Sequence, residues 1–150
     1  MVATPYSEII DLTMMRLTNY ELDILKTTSP TNFNTYMTGF MVSGLSNFNN
    51  CAQNLSDRND TTMTFNITLT DAEKDILSLL TSIQVMEKEI FDIRQIRSMI
   101  QDSSTAKRAS EANLLKEKTS LYNTWKEECD IKKARYGLLN QNWETLFSNE

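Results

Sequence analysis

The chain has 150 residues, with 15 basic against 20 acidic side chains and no histidine. Three glycines and two prolines are too few for an all-β or turn-rich fold. The lack of histidine excludes the Ser-His-Asp triad, the Cys-His dyad, HExxH zinc sites and a histidine pH switch, so composition points to a small helical protein without catalytic, metal or cofactor chemistry.

Thr4-Pro5 predicts the start of a first helix, with Thr as the cap and Pro in the first turn. Ile9, Ile10, Met14 and Leu17 line it, and Leu22, Ile24 and Leu25 follow a bend near Thr18-Asn19. Thr27-Thr28-Ser29 ends this element, and Ser29-Pro30 repeats the start signal. The next stripe runs from Phe33 through Met37, Met41, Gly44 and Phe48 to Cys51 and Leu55, which predicts one helix of six turns. Gly44 costs helix stability, so either close helix contact or accident accounts for it.

Residues 56–62 are polar and predict a loop. Met63, Phe65, Ile67 and Leu69 then alternate with polar residues, the period of an extended segment. A lone strand leaves backbone groups unpaired, so this segment packs on its own bundle or pairs with a neighbouring subunit. Thr70-Asp71-Ala72-Glu73 is a capping box. The stripe from Ile76 to Ile100 predicts a helix over 71–101, with a possible break at 87–89. Arg94 and Arg97 lie close to that stripe, in positions suited to snorkelling or to an intersubunit ion pair.

A last long helix is predicted over 105–136, where Leu115, Tyr122, Cys129 and Tyr136 recur every seven residues. Gly137 occupies a natural helix-stop position. Beyond it, Leu139, Trp143, Leu146 and Phe147 form one apolar stripe on a short segment that must dock on its own bundle or on a partner. The expected fold class is therefore all-α. It comprises a bundle of four to five helices over 1–137, a short extended segment at 63–69 and a docking tail over 138–150.

Chemical motifs are scarce. There is no P-loop, GxGxxG or EF-hand loop. Cys51 and Cys129 form no CxxC and read as free buried thiols of a reducing compartment. The sequons at Asn54, Asn59 and Asn66 read as chance, because the start of the chain lacks a signal-peptide pattern. No apolar run approaches the length of a membrane span. Residues 105–136 carry 8 basic and 5 acidic residues, which reads as a solvated helix face ahead of a nucleic-acid site.

Four local motifs carry a resemblance. They are Tyr6-Ser7-Glu8-Ile9, Leu55-Ser56-Asp57-Arg58, Leu69-Thr70-Asp71-Ala72-Glu73 and Ser110-Glu111-Ala112-Asn113-Leu114-Leu115-Lys116-Glu117. In this order and spacing, over residues 5–136, the chain resembles head–tail connector (adaptor) proteins of long-tailed bacteriophages, especially those of Gram-positive hosts. Relatives often carry Trp and Pro with a break in the third long helix, whereas Met86-Glu87-Lys88-Glu89 stands here.

The resemblance implies a virion protein of the neck, assembled in the host cytoplasm. It implies a ring, typically of twelve copies, beneath the portal protein. Such a ring extends the channel for genomic DNA, which passes without sequence-specific binding, and a neck, stopper or tail protein docks below. The stripe of Leu139, Trp143, Leu146 and Phe147 suits a tail that reaches into the portal. Met63, Phe65, Ile67, Arg94 and Arg97 are candidates for intersubunit contact. Two other readings compete: a helical DNA-recognition protein of the packaging machinery, and a host-directed helical interaction module.

Overall fold

The computed structural model describes residues 2–99 and 105–141, with backbone alone for 96–99 and 105–108. The elements in order are β1 (Thr4–Pro5), α1 (Tyr6–Arg16), α2 (Tyr20–Thr28), α3 (Pro30–Leu45), β2 (Arg58–Asn59), β3 (Thr64–Phe65), α4 (Asp71–Met99) and α5 (Thr105–Leu139). The fold is an all-α bundle with a three-stranded scrap of antiparallel sheet in the order β1-β3-β2.

Helix α4 is the axis of the fold, because α1, α3 and α5 each pack on it. Every residue from Ile76 to Ile83 is buried, Ser78, Thr81 and Ser82 among them. Those three hydroxyls are satisfied by carbonyls of their own helix, at Asp75, Leu77 and Ser78 respectively. A small hydroxyl bonded back to its helix is cheap to bury. Thr13 of α1 does the same to Ile9 and also reaches the Ser78 carbonyl across the helix pair. Gly44 answers the question of its placement: a Cβ there would stand 3.3 Å from the Leu80 backbone carbon and Cβ, so α3 crosses α4 at close range.

Three boundaries differ from the sequence reading. Thr4 does not cap α1. Its hydroxyl donates to the Ile67 carbonyl and accepts from the Leu69 amide, so it ties the N-terminus to the extended segment, and Pro5 takes the N-cap position. The third helix stops at Leu45 rather than running to residue 55. Its last carbonyls take i+3 bonds from Asn47 and Phe48, a tighter turn that Ser and Asn favour. Phe48 and Cys51 still face the core from that turn, which is why the stripe looked continuous.

Gly137 does not stop α5, which continues to Leu139, and no glycine has positive φ. Its missing side chain makes room for the Asn50 amide instead, 3.1 Å from where a Cβ would stand. That amide donates to the Lys133 carbonyl and holds the turn after α3 against α5. The boundary drawn at 137/138 is thus not marked by a helix end. Helix α4 runs without a break through 87–89.

Candidate interaction surfaces

The extended segment is narrower than predicted. Only Thr64–Phe65 forms a strand, and it pairs with both β1 and β2 of its own chain. Phe65 is fully buried, 4.9 Å from the Tyr6 ring. As a candidate for intersubunit contact Phe65 is therefore corrected: its ring is used up inside its own subunit. Met63 and Ile67 are half-buried against the same core. Met63 sits at φ 53, where its carbonyl accepts from the Tyr6 amide. The Tyr6 hydroxyl donates to Asp60, 2.5 Å away, and Arg58 pairs with the same carboxylate. Burial and the Asp60 carboxylate together push the Tyr6 phenol above its ordinary value.

A polar node closes the same end of the bundle. Glu73 is 2% exposed. Its carboxylate accepts from the Thr70 amide at 2.8 Å, the returning arm of the capping box, and from the Tyr136 hydroxyl at 2.5 Å. Tyr136 in turn accepts from the Ala52 amide at 3.0 Å. Burial raises Tyr136, and the Glu73 carboxylate adds to it. Burial also raises both thiols, Cys51 and Cys129, so neither is an activated nucleophile.

Three helices meet in a charged network further along. Asp75 lies 2.5 Å from Arg16 of α1 and 2.6 Å from Lys132 of α5, and Glu128 pairs with both cations. Burial raises the Asp75 carboxyl, but Lys132 and Arg16 outweigh it and the net shift is downward. A lowered carboxyl stabilises the fold above its unfolded value, about 3.9, and loses that contribution as pH falls through the folded value below it. The expected result for Asp75→Asn is a loss of about 1 kcal/mol at neutral pH, after allowance for solvent screening of half-exposed groups. Urea titrations at several pH values check it. A deficit that persists unchanged into strong acid would count against the network.

Large apolar side chains remain uncovered along the flanks. Met15 is 83% exposed, Tyr20 78% and Phe91 58%. Leu114 and Leu121 of α5 are exposed beside a groove of about 300 Å³ at the α1–α2 bend. Leu17, Met86 and Trp125 also line this groove, together with the ion pair between Lys118 and Glu89.

Of the other candidate residues, Arg94 is exposed on α4, and Arg97 is placed on that helix by its backbone. Leu139 is 84% exposed at the end of α5. Trp143, Leu146 and Phe147 lie outside the described residues. The basic segment reads differently in three dimensions, because Lys118, Lys132 and Lys133 pair with acids and Lys126 stands over the Tyr122 ring. Among the described residues no His/Cys/Asp/Glu group is placed to hold a metal ion, and no helix is long and apolar enough to cross a membrane. No protein-family model, curated protein or solved structure matches the chain significantly.

Proposed function

We propose that the chain is a structural protein of the phage neck, an adaptor whose copies form a ring beneath the portal and present a docking surface to the next neck or tail component. The order of the four sequence motifs supports this reading, as does the all-α bundle in which two of them lie at structural joints. Leu69 to Glu73 opens α4, and Leu55 to Arg58 leads into β2. The observation that carries it furthest is the pair Leu114 and Leu121, exposed beside the groove that Leu17, Met86 and Trp125 line. Apolar side chains gathered at one groove suit contact with a neighbouring copy or component. In this reading the acidic body of the chain, net −5 overall, lets DNA slide past without holding it.

Native mass spectrometry and electron microscopy of the purified chain, alone and mixed with the portal ring from the same source, test the proposal. The expected result is a closed ring of copies seated on the portal. A monomer or dimer that ignores the portal would overturn it and move the weight to a host-directed module.

A further inference from the structure

Helix α5 packs along α4 through the stripe of Leu115, Tyr122, Cys129 and Tyr136, and a second flank of the helix is left uncovered. Leu114, Leu121, Ile131 and Leu138 are all exposed on it. They belong to two rows that each step by seven residues and lie three residues apart. One row reads Leu114, Leu121, Glu128 and Arg135, and the other reads Glu117, Thr124, Ile131 and Leu138. Two rows at this spacing are the seam of a helix pair. From Leu114 to Leu138 the seam is about 36 Å long.

The two rows complement each other in reverse. Read backwards, the second row is Leu138, Ile131, Thr124 and Glu117. Laid antiparallel on the first row of another copy, it sets Leu138 against Leu114 and Ile131 against Leu121. It sets Thr124 against Glu128 and Glu117 against Arg135. A two-fold axis repeats each contact, which is the self-complementarity that an isologous interface requires. A parallel pairing would set Glu117, Glu128 and Arg135 each against its own counterpart, so charge selects the antiparallel one. The two outer charges are also available. Among the described residues the exposed side chains of Glu117 and Arg135 make no ion pair or hydrogen bond within the chain, whereas Lys118, Glu128 and Lys132 do.

We propose that the free chain forms a two-fold dimer through an antiparallel seam between the α5 helices of two copies. Leu114, Leu121, Ile131 and Leu138 are buried in it, and Glu117 of each copy pairs with Arg135 of the other. Like charges approach at two places in this register. Lys118 and Lys132 are already neutralised within their own copies, by Glu89 and by Asp75 and Glu128. Glu127 meets its own counterpart near the axis, so Glu127→Gln tightens the pair. The dimer belongs to the free chain and does not depend on the neck reading. On that reading, Leu114 and Leu121 pass from the dimer partner to a ring neighbour or component during assembly.

Sedimentation velocity and native mass spectrometry of the full chain, without portal, test the dimer. Glu117→Arg sets cation against cation at both ends of the seam, and Arg135→Glu sets acid against acid. Each weakens association about tenfold or more. The double reversal Glu117→Arg/Arg135→Glu restores pairing to within about threefold of the parent. Mixing the two single variants is the sharpest arm. Each repels itself, yet together they form a one-to-one dimer, because both Glu117–Arg135 contacts then join opposite signs. Leu121→Ala/Ile131→Ala weakens pairing without a charge change and covers the case in which a reversal fails to fold, which circular dichroism detects.

A monomeric parent chain would overturn the proposal. So would single variants that pair as tightly as the parent, a double reversal or a mixture that does not restore pairing, or a looser pair in Glu127→Gln. Ring formation on the portal is scored separately. A monomer that builds a ring on the portal sinks this inference alone, and a dimer that ignores the portal sinks the neck reading alone.

Discussion

Phe65→Ala lowers the unfolding free energy by about 4 kcal/mol, the largest effect expected of any single substitution considered for this chain. The ring is fully buried and packs against Tyr6, which is itself fully buried. Residue 65 also belongs to the central strand, which holds β1 on one side and β2 on the other. Truncation thus opens a cavity at the place where the N-terminal segment and the 58–65 hairpin are joined to the bundle. Set against the 5–15 kcal/mol of a typical domain, a loss of about 4 leaves a fold that survives at 25 °C with a much lower urea midpoint. Circular dichroism through a urea titration measures it. A midpoint equal to the parent's would contradict the enclosed packing of this ring.

Tyr136→Phe costs about 3 kcal/mol through a different mechanism. The volume of the side chain barely changes, and its packing at 5.2 Å from the Phe48 ring is retained. What disappears is one oxygen that meets the Glu73 carboxylate, the Ala52 amide and, at 3.9 Å, the Cys51 sulfur. The Glu73 carboxylate loses its phenolic donor inside the protein, and the Ala52 amide loses its acceptor. A buried acceptor stripped of its donor costs more than the average hydrogen bond contributes. Glu73→Gln keeps an acceptor oxygen for Tyr136 or for the Thr70 amide and leaves the Ala52 bond intact, so only about 1 kcal/mol is expected there. If Tyr136→Phe unfolded at the parent's urea midpoint, the node would have no energetic role.

The phenol also sets an alkaline limit. Its folded value is raised above the ordinary 10.0, as is that of Tyr6. Their contribution is intact below pH about 10 and falls as pH rises above it, because the unfolded chain then loses protons that the folded chain keeps. Tyr136→Phe flattens that decline.

The sequence by itself determined the helices and most of their ends. Period and caps sufficed for the bend at residues 17–19, the start at Ser29-Pro30 and the capping box of Thr70 and Glu73, whose two reciprocal bonds both form. The seven-residue recurrence on α5 likewise marked its packed face: Cys129 and Tyr136 are buried, and Leu115 and Tyr122 are half-buried. These features are local, because a side chain three or four residues away on a helix is a neighbour in any fold.

The end of the third helix at Leu45 is set by a local turn, whereas the other errors involve partners far along the chain. Thr4 looked like a cap and bonds instead to residues 67 and 69. Gly137 looked like a stop and instead admits an amide from residue 50. The period-2 segment was legible, but whether it paired within the chain or outside it was not, and Phe65 decided that by facing its own core.

One further fact belonged to the tertiary structure alone. Ser78, Thr81 and Ser82 are polar yet covered, because their hydroxyls are satisfied within their own helix and three neighbours close around α4. Local chemistry tells a helix which face prefers to be dry. It does not tell which small polar residues another helix covers, because that depends on contacts whose closure cost is met only when the whole bundle forms.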